Sequence, residues 1–257
     1  MDIAIEVINL AKEFAQRRSL FPFSKRITAA LNNINFQVKK GELFALIGPN
    51  GAGKTTLIKI LTCLIHPTRG TAKIMGADIL REEKKVKSLI GLVSGDERSL
   101  YWRLTGRQNL YFFASLYNLS PSLSKFRIEK LLDLLKIKEP DKRFGEYSQG
   151  TKQKLAIARS LLHNPEVIFM DEPTKSLDPI SAYRIRKFVK EELVNKEGKT
   201  LVFATHNLEE AEYLANTIAV MDKGKIKICQ RLDSLHKEFG KIKILVEKLF
   251  YATEAKV

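Results

Sequence analysis

Cysteine is nearly absent, with Cys63 and Cys229 the only two in 257 residues. No second ligand lies at metal spacing from either, and both sit in apolar stretches. A disulfide framework and a cysteine metal site are thereby excluded, and two buried, reduced thiols are expected. Long apolar runs are also missing. None approaches the ~18 residues of a membrane span, so any tie to a membrane has to come through a partner. Met1 to Glu6 lacks a basic segment leading into an apolar one, so no secretory signal is expected and the chain is expected in the cytoplasm. Acid is scarce as well: 29 Asp and Glu stand against 44 Lys and Arg, a formal net charge of +15. Between Phe14 and Gly41 there is no acid, but Arg17, Arg18, Lys25, Arg26, Lys39 and Lys40 are present. Such an excess suits nucleic acid, a phosphorylated ligand, an anionic membrane face or only a basic surface. No aromatic-interleaved basic motif accompanies it, so nucleic acid is not the expected partner.

What is present is an alternation of short apolar strands with helical stripes. Ile3 to Leu10 and Leu31 to Val38 read as strands, residues 16–30 between them as a loop, and Lys40-Gly41-Glu42 as a turn. Leu43 to Ile47, Val167 to Met170 and Leu201 to Ala204 are wholly apolar, the mark of strands buried on both faces of a parallel sheet. Leu57, Ile60, Leu61 and Leu64 fall at helical spacing, as do Ile185, Phe188, Val189 and Leu193 after Pro179. Leu110, Phe113, Ala114 and Tyr117, and then Ile128, Leu131, Leu132 and Leu135, mark a helical block over about 98–162. Thr217 to Met221 and Ile226 to Cys229 read as a hairpin. The expected fold is α/β: a mostly parallel sheet covered on both faces, with a helical insertion.

The strand Leu43 to Ile47 runs into Gly48-Pro49-Asn50-Gly51-Ala52-Gly53-Lys54-Thr55, which matches G-x-x-x-x-G-K-[ST]. Glycines let backbone N–H groups turn inward around phosphates. A helix beginning near Lys54 aims its positive end at the same anion. Lys54 places a charge on the β- and γ-phosphates, and the Thr55 hydroxyl is a hard oxygen ligand for Mg²⁺. The apolar strand Val167 to Met170 ends in Asp171-Glu172. Acids often cap strand ends without function, but beside a phosphate loop an acid at the carboxyl end of a neighbouring strand lies where ligands bind. Asp171 can hold Mg²⁺ through water, and Glu172 can orient the attacking water and take its proton.

With these motifs the chain resembles the ABC ATPase family. The resemblance rests on Gly48 to Thr56, Tyr147-Ser148-Gln149-Gly150-Thr151-Lys152-Gln153, Asp171-Glu172-Pro173-Thr174, Ser176-Leu177-Asp178 and Thr205-His206, in the family's order and across nearly the whole chain. The second stretch stands at the family signature, usually Leu-Ser-Gly-Gly-Gln. The variant here is similar to ATPases of exporters with separately encoded type-2 permeases. The resemblance implies a P-loop NTPase fold of the RecA-like kind with an N-terminal antiparallel part. It implies one domain over 1–240 (core 1–95 and 163–230, helical subdomain 96–162) and a short extension over 231–257.

It also implies ATP and Mg²⁺ as ligands, hydrolysis of ATP, a head-to-tail homodimer or heterodimer with a second ABC ATPase, and an integral-membrane permease that holds the chain on the inner face of the cell membrane. Ser148 and the Gly150 N–H would reach the γ-phosphate bound by the opposite subunit. His206 would contact the γ-phosphate and sense hydrolysis, Asp178 would couple the two sites, and Phe14 would stack on adenine. The family's usual Gln after the strand before the helical block is missing. Ser94-Gly95-Asp96-Glu97-Arg98 stands there, so Asp96 or Glu97 would supply that metal ligand. Leu100-Tyr101-Trp102 reads equally as core or as the seat of a permease helix. Two other functions compete: a soluble ABC ATPase on nucleic acid or ribosomes, favoured by the charge, and a catalytically dead regulatory module, favoured by the missing Gln.

Overall fold

A computed structural model describes residues 2–17, 25–94 and 100–251. Among the described residues ten strands form two sheets. β1 (Ile3–Arg17), β2 (Lys25–Lys39), β4 (Arg69–Ile74) and β5 (Ala77–Asp78) make an antiparallel sheet in the order β2-β1-β4-β5. The second sheet runs β10-β9-β3-β8-β7-β6, from β10 (Lys225–Arg231), β9 (Thr217–Asp222), β3 (Leu43–Ile47), β8 (Thr200–Thr205), β7 (Val167–Asp171) and β6 (Ile90–Ser94). It is parallel except for β10 on its edge.

The apolar runs become the middle of this second sheet because both of its faces are covered. Leu43, Ala45 and Ile47 of β3, with Leu201 and Phe203 of β8, point into one core cluster. Phe44 and Leu46, with Val202 and Ala204, point into the other. The first cluster lies under α3 (Gly106–Leu116), α4 (Pro121–Leu134) and α5 (Gln149–Leu161). The second holds α1 (Lys54–Leu61), α2 (Glu83–Leu89) and the antiparallel sheet. Phe36 stacks on Phe44 at 5.0 Å between centroids and joins the two sheets. Ser120 caps α4 and Thr105 with Gln108 makes a capping box on α3, which explains where those helices begin. α6 (Pro179–Phe188) continues as a π-helical stretch, Val189–Lys196. α7 (Leu208–Leu214), α8 (Leu232–Phe239) and α9 (Ile242–Tyr251) close the fold, and Leu235, Ile242 and Leu245 join the first core cluster.

Three sequence expectations change. Residues 16–30 are not a loop throughout: β1 runs to Arg17 and β2 starts at Lys25, with Phe14 opposite Thr28 and Arg17 opposite Lys25. Beyond its pairing with β4 this ribbon has no third strand, so no buried face imposed an alternating pattern on its sequence. Leu64 lies past the end of α1 and is exposed, because the chain turns away through Cys63 at φ 55°. Among the described residues the first helix of the helical block is α3, from Gly106, and residues 95–99, where the block was expected to open, lie outside them. Cys63 is buried as expected, but Cys229 is exposed because it lies on the edge strand β10.

Phe203 is fully buried at the centre of β8. Phe203→Ala should cost about 3–5 kcal/mol of stability through the cavity it leaves. Urea unfolding should show a lower midpoint with an unchanged slope.

Candidate active site

The parallel register sets the site. Ile47 of β3 lies opposite Thr205 of β8, and Ala204 lies opposite Asp171 of β7. Three chain segments therefore leave the same end of the sheet side by side: the glycine loop after Ile47, the acids at Asp171-Glu172, and His206 after Thr205. This is the carboxyl end of the parallel strands, where open α/β sheets bind ligands.

The glycine loop is packed too closely to carry side chains at two points. A Cβ on Gly48 would lie 2.2 Å from the Met221 carbonyl oxygen. Gly53, at φ 104°, would place one 2.7 Å from the Ala30 carbonyl oxygen. The loop is wedged between the end of β9 and residues Ala30 and Leu31 within β2, and α1 starts directly behind it. Lys54 is 6% exposed. Its ammonium donates to the carbonyls of Gly48 (2.6 Å) and Pro49 (3.1 Å). Burial pushes its pKa down, and the carboxylates of Glu172 and Asp171 oppose that shift.

Asp171 is the complementary case. Burial pushes its carboxyl up, while a hydrogen bond with Thr55 and the charge of Lys54 pull the other way. Its Oδ1 is buried and has no hydrogen-bond partner among the described residues. A half-buried carboxylate with one buried, unused oxygen, bonded to a Thr hydroxyl at the start of α1, fits a hard divalent cation. β6 ends at Ser94, in register with Asp171. Asp96 and Glu97, the alternatives for a further ligand, lie outside the described residues.

Glu172 leaves β7 through left-handed backbone, φ 52°, which a non-glycine residue seldom adopts. Its N–H donates to Ala204 O at 2.9 Å. The turn brings its carboxylate to His206, whose Nδ1 lies 2.9 and 2.8 Å from the two oxygens. Lys54, Thr55, Asp171, Glu172 and His206 therefore form one cluster.

The remaining candidates lie elsewhere. Ser148 is the exposed N-cap of α5, its hydroxyl bonded to Thr151. Gly150 is packed on Ser181, where a Cβ would meet Oγ at 2.8 Å. Asp178 caps α6, accepting from the N–H groups of Ile180 and Ser181 at 3.1 and 2.9 Å. Phe14 is 41% exposed on the β1–β2 ribbon with the Lys12 ammonium 5.0 Å from its ring centre. The same ribbon carries Ala30, the residue that abuts Gly53. Of the apolar cluster after residue 99, Leu100 is core, whereas Tyr101 and Trp102 are each 51% exposed. Sequence reasoning missed Asn109, which is fully buried and bonds the backbone of Tyr101, Leu104 and Thr105. Its place at helical spacing among apolar residues was the only signal.

A glycine loop opening a helix, with the Asp171 carboxylate at the end of β7, one strand beyond the β8 that neighbours β3 and not on a neighbouring strand as expected, defines a P-loop nucleoside-triphosphatase. The family model described as ABC transporter matches residues 31–175, and an AAA-domain model matches 141–212. The ATP-binding protein NatA of an ABC transporter from Bacillus subtilis is 35% identical over 84% of this chain and 87% of its own length. The bacitracin transport ATP-binding protein BcrA of Enterococcus faecalis is 35% identical over 92% of this chain and 72% of its own. The dimeric post-hydrolysis structure of the cassette MJ0796, bound to ADP and Pi, superposes with a TM-score of 0.77 at 26% identity, covering 89% of this chain and 98% of that one. CbiO1 from Clostridium perfringens, part of the ABC transporter complex cbiONQ, gives 0.78 at 26% identity over 97% and 96%. The chain belongs to the ABC transporter ATP-binding family, as an ATP-binding and ATP-hydrolysing subunit.

Lys54 is the buried cation of the glycine loop. Lys54→Ala should weaken ATP binding by about 1.5–3 kcal/mol, roughly 10- to 150-fold in Kd. Equilibrium titration with a fluorescent ATP analogue checks this, and an unchanged affinity would contradict the loop's assignment.

Proposed function

We propose that this subunit closes on a second ABC ATPase around ATP and drives an integral-membrane permease, in the direction of export. The observation that carries the reading is the separation of two anion-binding parts. The glycine loop, Asp171, Glu172 and His206 cluster at one place. The Ser148-capped start of α5 is exposed, with its hydroxyl on Thr151. A helix start of that kind is built to meet an anion, and a second copy arranged head to tail would bring its own to the phosphate. Relatives whose names speak of bacitracin transport and daunorubicin resistance support export.

In this reading the backbone of Gly48, Pro49, Asn50, Gly51, Ala52 and Gly53 cradles the phosphates, with Lys54 and Thr56 beside them. Thr55 and Asp171 would hold Mg²⁺, with Asp96 or Glu97 as a further ligand. The ion's contribution is to neutralise charge on the phosphate oxygens. Glu172 orients water against the γ-phosphate and takes its proton, and His206 fixes the Glu172 carboxylate and meets the same phosphate. Ser148 and the Gly150 N–H reach the partner's nucleotide. Asp178 holds the start of α6 at the interface, and Phe14 faces adenine. Residues 1–240 act as one domain, with 96–162 as its helical part and 231–257 as an extension.

The permease side is supported by exposed aromatics. Tyr101 packs edge-on against Phe112, and Trp102 lies against Phe144, yet each keeps half its surface open. No helix of the described residues is long and apolar enough to cross a membrane. The transporter would therefore hold this subunit on the cytoplasmic face of the membrane, with that aromatic face against the permease.

Two experiments test the proposal. Glu172→Gln should slow phosphate release by about 10²–10⁴-fold while nucleotide binding survives; turnover like that of the unmodified chain would reject the role. Isolation from membranes should bring a permease with the chain, and Trp102→Asp should lower that yield about tenfold. Recovery of the chain with RNA instead of a membrane protein, in a salt-sensitive complex, would restore the nucleic-acid alternative.

A further inference from the structure

Behind the Glu172–His206 pair lies a carboxylate that the site described so far does not use. Glu210 stands in the first turn of α7 and is 1% exposed. Its Oε1 accepts from the Thr174 hydroxyl at 2.7 Å. Its carboxylate also takes a hydrogen bond from the Thr205 side chain. Thr205 Oγ1 in turn accepts from Asn207 N–H at 3.0 Å, and Glu210 N–H donates to Asn207 Oδ1 at 3.2 Å. One buried group thus joins the residue just before His206 to the residue two beyond Glu172. The nearby positive charge is Arg186 of α6, the helix that Asp178 caps.

A carboxylate taken out of water is costly unless its oxygens are engaged. An apolar residue would serve packing better at this point of α7. What the carboxylate adds is a fixed relation between two loops. Glu172 needs such a fixture, because its φ of 52° is held by its surroundings and not by its own preference.

We propose that Glu210 is a positioning residue for ATP hydrolysis: through Thr174 and Thr205 it keeps the Glu172–Asp178 loop in register with the His206 strand end. It touches no reacting atom and acts through Glu172. The proposal therefore rests on the role given to Glu172 above, and the test separates the two.

Steady-state phosphate release and ATP-analogue binding would be measured on the full chain, with its permease where activity requires it. The variants are Glu210→Ala, Glu210→Gln and Thr174→Val, each alone and with Glu172→Gln. Glu210→Ala should lower kcat about 10- to 100-fold with KM and analogue affinity within about 3-fold. Glu210→Gln keeps an acceptor for Thr174 and should recover at least half of that loss on a logarithmic scale. Thr174→Val should lower kcat about 5-fold. In the Glu172→Gln background, adding Glu210→Ala should change the residual rate less than about 2-fold, because the group it positions is already gone. A raised KM at unchanged kcat, or losses that multiply fully with Glu172→Gln, would overturn the proposal. Should Glu210→Ala fail to fold, unaltered kcat in both Glu210→Gln and Thr174→Val overturns it instead. Unaltered turnover in Glu172→Gln would remove the earlier reading, and this one with it. A slow Glu172→Gln beside unaltered Glu210 and Thr174 variants removes the positioning role alone.

Discussion

The parallel register of three buried strands is the constraint on which the chemistry depends. Ile47 opposite Thr205, and Ala204 opposite Asp171, leave no freedom in how the glycine loop, the acid pair and His206 face one another. A slip of one residue in any of these strands would send its apolar side chains to the wrong core cluster. Since Phe44 and Leu46 belong to one cluster and Ala45 and Ile47 to the other, that slip is opposed from both faces. Burial of the sheet's middle is thus the same event as assembly of the site.

The cluster that results is electrically tense in a useful way. Lys54 is desolvated and its charged form is penalised, and so is that of Asp171. Each is partly compensated by the other. A polyanion beside Lys54 and a dication beside Asp171 would relieve both penalties at once, each meeting the charge that burial disfavours. The protein therefore holds, at the cost of some stability, an arrangement that a nucleotide, and in the proposed function a metal ion, would complete. Glu210 extends the same logic one layer deeper: burial raises its carboxyl too, and hydrogen bonds from Thr205 and Thr174 hold it against that.

Much of this was legible in the sequence, for a physical reason. Leu43 to Ile47, Val167 to Met170 and Leu201 to Ala204 are buried on both faces, and such strands advertise themselves as unbroken apolar runs. The glycine loop was legible because contact with backbone on two sides admits only glycine at Gly48 and Gly53. The β1–β2 ribbon was not, since its outer part has no buried face, and Ile27 is 63% exposed there. β4 and β5 were missed because Arg69, Gly70, Thr71 and Lys73 dilute any alternation, and the pairing that makes them strands is with distant residues. Glu210 was hidden among Glu209 and Glu212, which read as the solvated face of a short helix. Its burial and its contacts with Thr174, 36 positions away, and Thr205 distinguish it.

The helix that Ser148 caps adds a geometric consequence. β6 is an edge strand, so its outward carbonyls have no strand to pair with. His163 meets Ile90 O at 2.7 Å, and Arg159, four positions earlier, donates to Leu92 O at 3.2 Å. Tyr117 stacks on the His163 ring at 4.0 Å, and the Arg159 guanidinium lies over Phe113. α3 and α5 are therefore fastened together to β6 at the C-terminal end of α5, while its Ser148 end stays exposed. Those bonds hold α5 at the end away from Ser148, while Gly150, two residues past the cap, rests on Ser181 of α6. β6 ends in register with Asp171, so the strand that these bonds fasten runs beside the acids. In the proposed function that division suits closure on a second copy: the end of α5 fastened to β6 stays with the acids, and the exposed Ser148 end is the one presented to the partner.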